Sequence, residues 1–438
     1  MRFGRLIGAW LVLASLVPAQ DVAPEVLLLA RIKFHMRKEL AHLPNYTCLE
    51  TIARFHKEPG HPFRFEGQLK PLDTVRLEIV YSNGREWYGA PGDRNLSADN
   101  PAEFIGSGMI GNGTFAMDLN NIFEAATFTY RGEEAVGSRM AVRYDFRLSA
   151  MMKAFAISIQ GGYGTVGQKG SLWADPQSLD LLRLESSADE IPPYLPVEVQ
   201  STKMNYARTR IGDYDVLLAQ QADLHMLESS GEENYDRLEF THCRAFSAQS
   251  AIHFDPEPQE PAKTPPPAPP TVVVPEGASD AVPAFLPITI ELTTPITDKD
   301  TVGRLIEGRV SGDVLRKGKV IIPKGSLVRG RIRRLERYQG RPIGGGDFIV
   351  GLEFTEVEAV GGPLRFYADL LRMERRPGVR PTLSERVLVR DAWGAYEAAE
   401  ETITLPELPG VASFFVSGTS FTLPSGFRMF WRTRGLIR

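Results

Sequence analysis

Ten prolines fall between Asp255 and Pro283, in DPEPQEPAKTPPPAPPTVVVPEGASDAVP, and no other feature constrains the fold as strongly. Each proline fixes φ and removes an amide donor, so the run can neither continue a helix nor pair inside a sheet. It favours extended polyproline II and acts as a semi-rigid spacer. The 438-residue chain therefore divides into a signal-like start at residues 1–20, a first domain at 21–254, a linker at 255–283 and a second domain at 284–438. Each domain is long enough to bury its own core. A spacer of this kind leaves the relative orientation of the two domains unset. A ligand for SH3-type domains is the alternative reading of the same prolines.

The start of the chain, MRFGRLIGAWLVLASLVPAQ, carries Arg2 and Arg5 ahead of an apolar run from Leu6 to Val17, then small residues around Ala19. This is the pattern of a secretory signal peptide. The run is too short for a bilayer core of roughly 30 Å, which needs about twenty residues. No later segment is long and apolar enough to span, and no cysteine follows the cleavage site to take a lipid anchor. The expected location is the periplasm or the exterior.

In such a compartment the two cysteines, Cys48 and Cys243, are expected to form a disulfide that ties the first strand of domain one to its last. Closing so long a loop stabilises by roughly 2 to 5 kcal/mol in the chain-entropy picture. Two buried free thiols are the rival reading. A Cys-His catalytic pair is disfavoured because His242 and Cys243, as strand neighbours, would point to opposite faces.

Outside one amphipathic helix at Val26–Leu43 and a second at Phe115–Ala126, the first domain alternates apolar and polar residues in short segments. Asn83-Gly84 between two of these is a two-residue hairpin signal. The pattern predicts a sequential antiparallel meander. The second domain repeats the theme with Gly and Pro turns, which predicts a small β-barrel or β-sandwich. The fold class is thus mainly β with a few helices. The formal net charge of −4 is unevenly spread, with an acidic first domain and a basic second one.

Two stretches of the first domain, GSLWADPQSLDLLRLES from Gly170 and YARTRIGDYDVLLAQQADLHMLESSGEENYDRLEFTHCRAFSA from Tyr206, resemble a family of exported acidobacterial proteins of unknown role. Their strand and turn order is similar to the LolA-like half-barrel of periplasmic lipoprotein carriers. That resemblance implies a curved antiparallel sheet with helices plugging its concave face and a cavity for a lipophilic ligand. In the second domain, LTTPITDKDTVGRLIEGRVSGDVLRKGKVIIPKGSLVRGRIRRLE resembles the C-terminal β domain of TrbI-like conjugal-transfer and type IV secretion proteins. The shared features are Thr294-Pro295-Ile296, Gly308-x-Val310, Asp313-Val314 and the turn Ile322 to Ser326. The chain lacks the transmembrane anchor of that family and any counterpart of its membrane-inserting helical hairpin.

No catalytic motif emerges. Gly106-Ser107-Gly108-Met109-Ile110-Gly111 matches GxGxxG, but a dinucleotide site needs it between a buried strand and a helix of a βαβ unit, and here a meander surrounds it. His56 and His61 lack the partners a metal needs, and Asp298-Lys299-Asp300 reads as a polar turn. No cofactor is expected. The strongest surface feature is Val328 to Arg341, where Arg329, Arg331 and Arg333 share one face of a strand and form a candidate stripe for anionic lipid or another envelope component. The same phosphate chemistry would serve nucleic acid, but interleaved aromatics for base stacking are missing apart from Tyr338. The reading is an exported, envelope-associated binding or structural protein without enzymatic activity, with a lipophilic ligand in the first domain. The alternatives are a component of a secretion or surface assembly and an exported hydrolase without a recognisable motif.

Overall fold

The computed structural model describes residues 22–59, 68–82, 84–92, 101–105, 108–110, 116–152, 155–159, 162–246, 281–338, 346–390, 396–405 and 408–435. The start at 1–20, most of the proline-rich segment, His61, Asn83 and both outer glycines of the GxGxxG match lie outside them.

The first domain is one curved, eleven-stranded antiparallel half-barrel sheet with two helices against it. Helix α1 spans Pro24–Ala41 and α2 spans Ala116–Ala125. The strands are β1 Tyr46–Lys57, β2 Lys70–Ser82, β3 Arg85–Gly89, β4 Thr127–Val136, β5 Arg139–Leu148, β6 Phe155–Ile159, β7 Gly162–Ala174, β8 Leu181–Asp189, β9 Val197–Ile211, β10 Tyr214–Glu228 and β11 Glu233–Ala245. Their order is β3-β2-β1-β11-β10-β9-β8-β7-β5-β4, with β6 paired to β7. Every neighbour in the sheet is a sequence neighbour except at two places, where β7 pairs with β5 past β6 and where β1 pairs with β11. There Cys48 and Cys243 form a disulfide with Cα atoms 4.1 Å apart. The register slips between Thr47 and Leu49, and His242 beside the bridge has φ +53°. The irregularity lets the last strand turn its cysteine toward the first.

The sheet is two-faced because its strands alternate. One face collects Ile52, Val75, Leu184, Met204, Ala222 and Leu238, all buried, and the helices lie there with Ile32, Met36, Ile122 and Phe123. The other face is mostly polar, with a small buried patch of Ala141, Trp173 and Leu182. Burying such a set contributes about 25 cal/mol per Å² of apolar surface removed from water. β4, at the free edge, is exposed along most of both faces.

The second domain is a nine-stranded antiparallel sheet in the order Ala368–Met373, Arg428–Thr433, Pro287–Leu292, Leu305–Val310, Leu327–Tyr338, Asp347–Ala359, Ala412–Ser417, Val379–Arg380, with Gly362–Arg365 added on Asp347–Ala359. It folds about Trp431, Phe354, Phe414, Phe427 and Ile332, all essentially inaccessible; Trp431 and Phe354 meet edge to face at 5.5 Å. Ala281 and Val282 pair with this sheet: Ala281 bridges Arg365, and the Val282 amide donates to the Arg365 carbonyl at 2.9 Å.

The two domains touch. Val302 adds to the edge of β2, its amide donating to the Thr74 carbonyl at 2.9 Å and its carbonyl accepting from the Arg76 amide at 3.0 Å. Gly303 makes the approach feasible: its φ is +92°, and a Cβ there would stand 2.5 Å from the Arg76 carbonyl oxygen.

Candidate functional site

Strand β1 places charge in the apolar phase. Its inward residues run Tyr46, Cys48, Glu50, Ile52, Arg54, and all five are buried. Register sets Arg54 between Asp73 on β2 and Asp236 on β11. The guanidinium donates to both oxygens of Asp73, at 2.6 and 2.5 Å, and to the Met109 carbonyl at 3.4 Å. One cation thus faces two buried carboxylates. Burial, opposed by Arg54 and reinforced by Asp73, pushes the carboxyl of Asp236 up to about 8. Glu50 is pushed well above the usual carboxylate range by burial and by the nearby Glu86 and Asp236, and neither of its oxygens has a hydrogen-bond partner among the described residues.

The second domain closes over this cluster. In Leu327–Tyr338, Arg334 donates to Glu336 at 2.9 Å with both side chains buried, and the field of Glu336 reaches Arg54 and Asp73. Arg331 donates to the carbonyls of Pro91 and Gly303, both at 2.9 Å, and is 8 % exposed. Arg333 pairs with Glu353 and donates to the Glu103 carbonyl at 2.9 Å. Arg329 pairs with Glu356 and Glu358 on the neighbouring strand. Two of the three stripe arginines therefore reach across to the first domain.

A second cluster holds α1. His35 hydrogen-bonds Asp180 at 2.9 Å, and Arg208 on β9 donates to Asp180 at 2.5 Å and to Glu39 at 2.8 Å. Despite partial burial, the hydrogen bonds from Arg208 and His35 hold Asp180 below its ordinary range. At the other end of the helix the Tyr144 hydroxyl donates to the Glu25 carbonyl at 2.7 Å. Only Ile32 and Met36 of the eighteen helical residues are fully buried. Beneath the helix, among Met36, Leu40, Leu119, Tyr206, Leu217 and Ala219, about 10 Å³ is open. That admits one water at most.

His56 hydrogen-bonds Asn234 at 3.0 Å. Asp300 accepts from the Thr297 amide at 2.7 Å and closes the polar turn. Among the described residues no group of three His, Cys, Asp or Glu side chains is placed to hold a metal, and no helix is long and apolar enough to cross a membrane. Sequence reasoning missed Glu50, Arg54, Asp73 and Asp236. The available signal was the two charged residues in the same phase as Tyr46, Cys48 and Ile52.

Similarity to solved structures falls on about half of the chain. A LolA superfamily protein from Nitrosomonas europaea matches at 10% identity and TM-score 0.25 over 52% of this chain and 97% of its own. A putative outer membrane lipoprotein-sorting protein domain from Vibrio parahaemolyticus matches at 12% identity and TM-score 0.25, over 52% of this chain and 93% of its own. No protein-family model and no curated protein matches the sequence.

Proposed function

We propose that this is an exported, envelope-associated binding protein without enzymatic activity, and that the apolar face of its eleven-stranded sheet receives a lipophilic ligand when α1 lifts. The observation that carries the reading is how α1 is held. It covers an apolar face, yet only two of its residues are fully buried and its ends are tied by polar groups: Tyr144 at one, and Asp180 with Arg208 at the other. Polar ties exchange readily for water, whereas the face beneath gains by being covered with another apolar body. The state described here is closed, since about 10 Å³ holds no acyl chain. The signal-like pattern of residues 1–20 and the disulfide support an oxidising compartment. In the second domain, anionic lipid would compete with Glu356 and Glu358 for Arg329, the stripe residue turned away from the first domain.

The test is titration of the delipidated, disulfide-intact chain with a fluorescent fatty acid, alongside Arg208→Ala. The expected result is saturable binding whose association is faster in the variant, because Asp180 and Glu39 lose their common donor. Absence of saturable binding in both proteins would overturn the proposal. Fractionation of the producing cells checks the location.

A further inference from the structure

The polar face of the first sheet carries a trough of about 590 Å³, within the range of ligand sites. Its origin is visible in the register. One transverse row runs Ser171, Glu185, Lys203, Asp223, Arg237 across β7 to β11. The row beside it runs Lys169, Ser187, Ser201, His225, Tyr235. Side chains two apart on a strand share a face, so both rows line one surface. Serines at the middle of the second row stand lower than Lys203, His225 and Tyr235 around them, and the floor sinks there. Gly170, whose Cβ would lie 1.9 Å from the Glu185 carbonyl oxygen, keeps β7 and β8 close at one end.

The charges of this surface are spent on one another. Lys203 sits 3.5 Å from Glu185, Lys169 donates to Asp189 at 3.2 Å, Arg237 donates to Asp223 at 3.2 Å, and His225 meets Glu233 at 2.8 Å. The Tyr235 hydroxyl donates to Asp223 at 2.6 Å. A charged ligand would have to break these pairs. A neutral one would find an array of hydroxyls and carboxylate oxygens already oriented by their partners. At the β11 end the half-buried ring of Tyr235 lines the trough, with Phe55 beside it at 6.0 Å between centroids and the Arg237 guanidinium 5.8 Å from its centroid. Four inter-strand steps make the trough about 19 Å long.

We infer that this trough is a binding site for an uncharged oligosaccharide, laid across the strands with its hydroxyls on the floor and a C–H face against Tyr235. Length, the mutual pairing of its charges and the mixture of hydroxyls with one aromatic end fit that class together. The site lies on the face opposite α1, so it is independent of the lipophilic reading.

The experiment is calorimetric titration of the intact chain with the hexasaccharides of glucose (β-1,4-linked and α-1,4-linked) and of N-acetylglucosamine, with heparin hexasaccharide as the anionic comparison. At least one neutral hexasaccharide is expected to bind, and its disaccharide about tenfold more weakly, because the shorter ligand fills part of the trough. Ser187→Phe with Ser201→Phe is expected to weaken binding about tenfold or more while leaving fatty-acid binding unchanged. Tyr235→Phe, which removes one hydroxyl and keeps the ring, serves if the double variant does not fold, and it too is expected to weaken binding. Binding of heparin alone, no binding of any neutral probe, or full binding by a folded variant would each overturn the inference.

Discussion

Replacing Asp236 by Asn tests the buried cluster at its most sensitive point. Asp236 is 1 % exposed, and its carboxyl is pushed up to about 8 from an ordinary 3.8, first by burial and then by Asp73, against the pull of Arg54. In the folded protein it therefore keeps a proton that the unfolded chain releases near pH 4. Stability from this group is fully present below about pH 4, falls as pH rises toward about 8, and levels off above. Each pH unit between those limits costs about 1.4 kcal/mol, so the interval from pH 5 to 8 costs about 4 kcal/mol. Asn keeps the shape, cannot ionise, and still offers an oxygen to Arg54. Urea denaturation of the oxidised protein at pH 5, 6, 7 and 8 is the assay. The expected outcome is a wild type that loses stability across the series and a variant that loses about 4 kcal/mol less of it. Glu50 is raised first by burial and then by Glu86, which both proteins keep; only the last of its causes, the charge of Asp236, is lost in the variant. Parallel profiles, agreeing within about 0.5 kcal/mol at every pH, would show that Asp236 is ionised in the folded state and would refute the reasoning.

Three further outcomes follow from the same geometry. Cys48→Ala with Cys243→Ala opens a loop of 195 residues and is expected to cost about 5 kcal/mol in the chain-entropy picture, read as a lower thermal midpoint for the first domain. Gly170→Ala sets a methyl 1.9 Å from the Glu185 carbonyl oxygen, so β7 and β8 must separate, and a loss of about 2 to 4 kcal/mol is expected by denaturant titration. Val302→Pro removes the amide that donates to Thr74 at the β2 edge, and scattering of the purified chain is expected to show a larger radius of gyration as the domains part.

Much of the first domain was legible because its information is local. Arg139–Leu148, Val197–Ile211 and Tyr214–Glu228 begin and end where alternation and turn residues place them, and α1 and α2 fall within a few residues of their apolar periodicity. β4 leaves no periodic signal in the sequence because, with Glu133 and Glu134 exposed at a free edge, it has no buried face to announce it. The strand Ala412–Ser417, ASFFVS, carries no alternation in its sequence because its short apolar run is buried on both sides.

Composition and order alone determined a mostly β chain, a proline-rich segment and a cysteine pair ahead of it, because proline stereochemistry and strand periodicity act over a few residues. The tertiary structure decided which surface each face meets. Alternation placed Arg331 and Arg333 on one side of Leu327–Tyr338 but carried no information that Pro91 and Glu103 of the other domain would lie against that side. It likewise put Glu50, Arg54 and Asp236 in the buried phase of strands far apart in sequence. Only the closure of β11 onto β1, with the second domain docked over the seam, makes them a coupled set, because charge pairing depends on distance in space and on the water that long-range packing removes.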